Sequence, residues 1–533
     1  MRRWNGWGEE TVDYPLPAGT ATLLEEWIGP ATPPTDTSFA AVVQTVGPSR
    51  LPDHLLVDSD PAGRVLHARG QSLPDWIDLR SGRVNTFPDG VAYPESEEEV
   101  QTLLRYAQEV GAVVIPYGGG TSVVGHINPL PDSPPVLTLD MRRLNRLYHL
   151  DKTSGLATFG AGVAGPDLEA QLRAHGFTLG HYPQSFEQST LGGWVATRST
   201  GQQSLGYGRI EAMFAGGRLA APAGILDLPA RFPASAAGPD LRELVLGSEG
   251  RLGVLTEVTV RARPLPQREL FDAVFFPEFE AGREAVRQIV QAGLPLSMMR
   301  LSTATETETT LALAGHRRLI GALEKVIALR GVGEGKVMLL FGCTGRERLV
   351  RAAHKEALAL ARQWGGVPAG QIFARQWHKG RFRTPYLRNT LWEKGYAVDT
   401  LETATDWTNV PAMITAVESA LHQALAEQGE RVHVFTHLSH VYPAGTSLYT
   451  TYLFRLLSDP EQTLARWQAL KQAASEAIVT TGGTISHQHG VGTDHAPYLA
   501  AEKGALGMAT LQTLCCQFDP QGMMNPGKLL AAA

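Results

Sequence analysis

Residues 113–125 read VVIPYGGGTSVVG: a β-branched run, a proline, three consecutive glycines, then Thr121 and Ser122. An apolar run that ends in Gly118, Gly119 and Gly120 is a buried strand delivering the chain into a tight loop with uncovered backbone amides. Such a loop suits an anion. Successive N–H groups in mixed right- and left-handed conformations form a concave nest, and the two hydroxyls match phosphate oxygens. A lone GGG is equally compatible with an empty turn, so the rest of the chain has to decide.

At 533 residues and 43% hydrophobic, the chain is long enough for about two to four domains and can bury its cores without staples. A net charge of −6 with scattered basic residues leaves no electrostatic footprint for nucleic acid. Cys343, Cys515 and Cys516 form no even framework, and the adjacent pair sits in a helical stretch where the two thiols cannot easily join. That fits a reducing, cytoplasmic setting. MRRWNGWGEE has no apolar segment behind its arginines, and no window of about 18 apolar residues offers a span. The expectation is a soluble protein, with peripheral contact at a membrane left open because a surface patch leaves no clean trace in sequence.

Four segments follow from texture. Residues 1–87 alternate apolar pieces with Pro-rich connectors and read as a helical wrap. Residues 88–265 hold the glycine loops, 266–458 alternate strands with amphipathic helices and read as a cap over a substrate pocket, and 459–533 are largely helical, interrupted at 482–499. Pro94 and Ser96 open a helix with early glutamates that ends near Gly111. The dinucleotide fingerprint is absent, because GGGTSVVG leads into a loop and the strand VLTLD rather than into a helix. GVGEGK at 331–336 lacks the Ser/Thr of a P-loop and precedes a strand, so it reads as a helix-to-strand turn.

Three further stretches, LATFGAGV, GHYPQSFEQSTLGGWVATRSTG and LVLGSEGRLGVLTEVTV, couple strands or helices to Gly/Ser/Thr loops, as several loops converging on one long polar ligand would. Together they resemble the FAD-binding domain of the vanillyl-alcohol oxidase (PCMH-type) flavoprotein superfamily. The resemblance implies an α+β fold: an FAD domain of two α+β subdomains, a mixed α+β cap and C-terminal helices. It also implies that non-covalent FAD is held by Pro116, Gly118, Gly119, Gly120, Thr121 and Ser122; by Pro183, Ser185, Thr190, Gly192, Gly193 and Thr197; and by Gly247, Ser248, Glu249, Gly250 and Gly253. The physical reading agrees, since Gly192 and Gly193 let backbone approach a flat ring and the hydroxyls supply hydrogen bonds.

His487 and His489 lie two apart, so on looped or extended backbone both imidazoles face one cavity. His433, His437 and His440 lie upstream, but no Glu or Cys at ligand spacing accompanies them, and no metal centre is expected. Arg300 ends an apolar strand, where it needs a salt-bridge partner or a bound anion. Arg388 and Tyr449 complete the candidates.

RWNGWG, the long GHYP segment, YLR, LETATDW, YPAG followed by Tyr449, and ISHQHGVG narrow the resemblance to the alkyldihydroxyacetonephosphate synthases. That family exchanges the acyl group of an acylated dihydroxyacetone phosphate for a fatty alcohol, through a flavin N5 adduct, to make an ether lipid. By this resemblance Arg388 faces the substrate anion, Tyr449 is the acid/base, and His487, His489 and Arg300 complete the pocket. A homodimer and a lipid or other small-molecule substrate are implied as well. Tyr449 serves as a base only if a neighbouring cation lowers its pKa from about 10. Two positions depart from the family pattern: Gln488 interrupts a histidine run, and His437 replaces an arginine. These keep open a second reading, an FAD-linked oxidase or dehydrogenase of a 2-hydroxy acid.

Overall fold

The computed structural model describes residues 2–17, 19–313 and 317–531. Its first sheet runs Val57–Asp58, Gly90–Ala92, Val136–Asp140, Val113–Tyr117, with the last three strands parallel. The helix Glu97–Val110 connects two of them. Ser96 caps it by accepting from the Glu99 amide, three glutamates fill its first turn, and Gly111 at φ 67° ends it. Val100, Leu103 and Leu104 pack on Val114, Leu137 and Leu139; each fully buried side chain of this size contributes about 1.5–3 kcal/mol. The N-terminal segment is therefore not purely helical, because Val57–Asp58 joins this sheet beside helices such as Leu73–Ser81.

The second sheet is antiparallel, in the order Leu147–Asp151, Leu156–Gly160, Val254–Arg261, Phe214–Ala221, Gly224–Leu228. The third has seven antiparallel strands: Val367–Gly370, Arg268–Phe276, Val337–Gly345, Met298–Ser302, His433–Tyr442, Gly445–Arg455 and Tyr396–Asp406. Alternation along its strands separates two faces. Leu301, Leu339, Phe341, Val434, Leu438 and Leu448 face a core shared with the helices Phe279–Gln291, Glu347–Gln363, Val410–Ala424 and Pro460–Thr480. Their neighbours Arg300, Leu340, Phe435, His437 and Tyr449 face a cavity.

GVGEGK is indeed the turn between the helix Arg317–Ala328 and the strand Val337–Gly345. Residues 481–495 form neither helix nor strand and lead to the helix Leu499–Phe518, where Cys515 and Cys516 are both free thiols. Among the described residues no helix is long and apolar enough to cross a membrane.

Candidate active site

The glycine loops and the open face of the seven-stranded sheet enclose one cavity of about 690 Å³. Every cofactor residue named from the sequence lines it except Gly247, which stands beside Arg198 at φ +78° and donates its amide to the Val195 carbonyl. The loop after Val113–Tyr117 needs its glycines. A Cβ on Gly119 would sit 1.9 Å from the Gln188 carbonyl oxygen, so the two loops touch backbone to backbone. Gly192 answers the same need differently from the sequence expectation, because it packs against Ala161, to whose carbonyl its amide donates at 2.7 Å, rather than serving a flat ring alone.

Two of the hydroxyl and carboxyl groups turn to other partners. Ser122 Oγ pairs with His126 Nδ1 at 2.8 Å. The Glu249 carboxylate accepts from the amides of Val491 at 2.5 Å and Gly492 at 2.8 Å, so it anchors the C-terminal loop against the cofactor domain. Asn525, missed in the sequence although it belongs to an NPG turn, also lines the cavity; its Nδ2 donates to the Glu249 carbonyl while its buried Oδ1 has no partner. Partnerless oxygens of Thr200 and Gln202 in the same wall add to this. Backbone nests, free hydroxyls and orphaned polar atoms in one elongated cavity fit a dinucleotide such as FAD.

At the other end, Arg388 stacks its guanidinium 4.3 Å from the Trp76 ring and donates from Nη1 to the Gln71 carbonyl at 2.7 Å. Its Nη2 is covered and unpartnered, and among the described residues no carboxylate lies within ion-pair distance. Enclosure lowers its pKa. An arginine held this way has a donor free for an anion.

Arg300 is different. Its Nη2 lies 2.5 Å from Glu306 Oε1, and His437 Nδ1 lies 2.9 Å from the same oxygen. Burial would lift the Glu306 carboxyl, but His437 and Arg300 beside it hold it down at about 2. Burial and then the Arg300 charge push His437 down. The strand-end arginine thus has its partner inside the protein.

Tyr449 stands opposite His437 on one neighbouring strand and opposite Glu402 on the other. Its ring stacks on His437 at 5.0 Å and meets His489 edge-on at 5.9 Å. Its hydroxyl faces Thr400 Oγ1 at 3.2 Å and Gln184 Oε1 at 3.4 Å. Burial pushes this phenol up to about 12. The condition for a base, a cation that lowers this pKa, is not met by the residues around it, because burial, with Glu402 and Asp399, outweighs the lowering by Thr400 and Arg300.

The i, i+2 expectation is met only by His489, which lines the cavity with Gln488. His487 turns behind it, stacks on His440 at 5.1 Å, and places Nδ1 3.0 Å from Glu402 Oε1. Glu402, whose side chain is wholly buried, is the residue the sequence reading missed. It lies on a separate strand, and only cross-strand register brings it to the histidines. Gln488 Nε2 donates to its second oxygen. Burial would raise Glu402, yet His487 and His440 hold it well below the usual carboxylate range.

Residues 88–228 match the model of an FAD binding domain, and residues 265–529 that of the C-terminal domain of FAD-linked oxidases. The chain is 31% identical to the alkyldihydroxyacetonephosphate synthase of Trypanosoma brucei brucei over 480 residues, covering 88% of this chain and 78% of that one. It is 31% identical to the enzyme of the same name from Dictyostelium discoideum over 487 residues, with 90% and 79% covered. A solved alkyldihydroxyacetonephosphate synthase structure superposes with a TM-score of 0.83 at 26% identity, covering 98% of both chains. By this likeness over most of its length the chain belongs to the alkyldihydroxyacetonephosphate synthase family, with FAD as its cofactor.

Proposed function

We propose that this chain exchanges the acyl group of an acylated dihydroxyacetone phosphate for a long-chain alcohol, the step that makes an ether lipid precursor. The observation that carries this reading is Arg388: a guanidinium with one covered, partnerless Nη2 on the wall of a cavity that also holds the apolar side chains of Leu16, Leu24, Trp27, Leu391 and Leu453. A phosphate on an alkyl-bearing substrate satisfies both features.

Non-covalently bound FAD, when present, supplies an electrophilic ring that lets a redox-neutral substitution proceed. The residues of the chain do the rest. Arg388 takes the phosphate. Tyr449, protonated and stacked on His437, gives its proton to the departing carboxylate and then, as the phenolate, takes one from the entering alcohol, while His489, whose pKa burial lowers, accepts a proton from the substrate carbon and returns it. Arg300 acts through Glu306 and His437, holding the face on which Tyr449 lies, and His487 acts through Glu402.

A small 2-hydroxy acid could also use Arg388, but it would leave the apolar side chains of Leu16, Leu24, Trp27, Leu391 and Leu453 in the same cavity without a partner. Anaerobic titration separates the two readings. Acyl-dihydroxyacetone phosphate should bleach the flavin and a fatty alcohol should restore its colour; bleaching by a 2-hydroxy acid, with no response to the acylated substrate, would overturn the proposal. The same reading carries two expectations about surroundings, contact with a membrane surface holding the lipid substrate and a homodimer, checked by vesicle co-sedimentation and light scattering. Release of the yellow chromophore by acid precipitation checks that FAD is non-covalent.

A further inference from the structure

We infer that Glu402, His440 and His487 form a binding site for one divalent transition-metal ion, zinc being the metal best matched to two imidazoles and a carboxylate. The site goes beyond the acyl-exchange reading and does not depend on it. One donor atom from each residue lies within 4.8 Å of the other two, and all three side chains are at least nine-tenths buried. Glu402 Oε1 is 3.0 Å from His487 Nδ1 and 3.8 Å from His440 Nε2. Donors around a tetrahedral zinc ion stand about 3.3 Å apart, so these separations bracket the expected one.

Two features argue against an ordinary hydrogen-bonded cluster. Glu402 Oε1 and His487 Nδ1 meet as an ion pair at 3.0 Å, and neither has a further hydrogen-bond partner. Meanwhile the opposite atom of each residue is taken. His487 Nε2 meets the Tyr442 hydroxyl at 2.7 Å, His440 Nδ1 meets Ser204 Oγ at 3.0 Å, and Glu402 Oε2 accepts from Gln488. Outer partners that fix each ring while leaving converging inner atoms free are what orient the ligands of a metal.

The fold makes the convergence through a β-bulge. Leu438 pairs with Leu448 but Val441 with Thr446, so the strand carries one extra residue, and Ser439 and His440 both reach the cavity wall. Of the three, His440 lines that wall, while Glu402 and His487 lie buried behind it.

The test is made on the FAD-loaded protein after chelator treatment and desalting. Cobalt(II) is titrated in and followed by its d–d absorption to the red of the flavin bands, then displaced with zinc in a calorimeter. The expected result is saturation at one ion per chain. His440→Gln and Glu402→Gln should each weaken zinc about 100-fold or more with the flavin spectrum intact, and His437→Gln should leave zinc affinity unchanged. Absence of saturable binding, or affinity unaltered in His440→Gln, would overturn the site and leave a plain Glu–His cluster. If Glu402→Gln fails to retain FAD, the His440 variant decides.

Discussion

The ring of Tyr449 lies on the imidazole of His437 with 5.0 Å between centroids and 20° between planes. His437 is in turn tied to Glu306, and burial pushes the phenol's pKa up to about 12, which favours the protonated form. Tyr449→Phe removes that proton and little packing. Turnover should fall by about 10²–10⁴, the usual weight of a general acid/base, while bound FAD and unfolding temperature stay at wild-type values. Turnover at wild-type rate would take Tyr449 out of the reaction.

Arg388 invites a test in which activity and stability part company. Arg388→Met should lower kcat/KM about 100-fold for a phosphate-bearing substrate, the cost of a lost charge-assisted contact. It also removes a cation without a carboxylate partner, so Tm measured without substrate should not drop. A clear drop in Tm would reassign Arg388 to the scaffold.

Gly119 has no room for a side chain, since its Cβ would meet the Gln188 carbonyl at 1.9 Å. Gly119→Ala must push two cofactor loops apart. The variant should purify pale, with a flavin-to-protein absorbance ratio well below wild type, and lose about 2 kcal/mol or more against urea. Full flavin occupancy would show that the loops yield without cost.

Lys528 carries a pH signature. Its side chain is buried, Nζ donates to the Asn128 carbonyl at 2.7 Å, and burial, helped by Arg251 and Arg69, lowers its pKa to about 7. The unfolded chain holds this proton up to about pH 10.4. Below pH 7 both states are protonated and the cost of burying the charge is fully present. Between 7 and 10.4 the unfolded state binds more protons, so stability rises with pH, at about 1.4 kcal/mol per unit from this group alone. Urea midpoints from pH 6 to 9.5 should climb in the wild type relative to Lys528→Met; parallel curves would mean that Lys528 stays charged in the fold.

Much of the cofactor end was legible in the chain because contacts to a long polar ligand are made by contiguous backbone. Gly118 to Ser122, Thr190 to Thr197 and Ser248 to Gly253 each reach the cavity through a few neighbouring residues, and local rules about glycine, hydroxyls and strand ends suffice to pick them out. The helix Glu97–Val110, with its serine cap and terminal glycine, was readable for the same reason.

The reactive end was legible only as a set of names. Whether Arg300 is a clamp or half of an ion pair depends on Glu306, whether Tyr449 is acid or base depends on how deeply the sheet buries it, and whether His487 joins His489 depends on a carboxylate from another strand. Sequence by itself determined the cofactor cradle and the family resemblance, since both reside in local runs. Tertiary structure alone decided which arginine keeps an unpartnered nitrogen, how deeply the tyrosine is buried, and that a bulge at Ser439 and His440 brings Glu402, His440 and His487 together; register, burial and charge pairing are properties of strands distant in the chain, and no spacing along it encodes them.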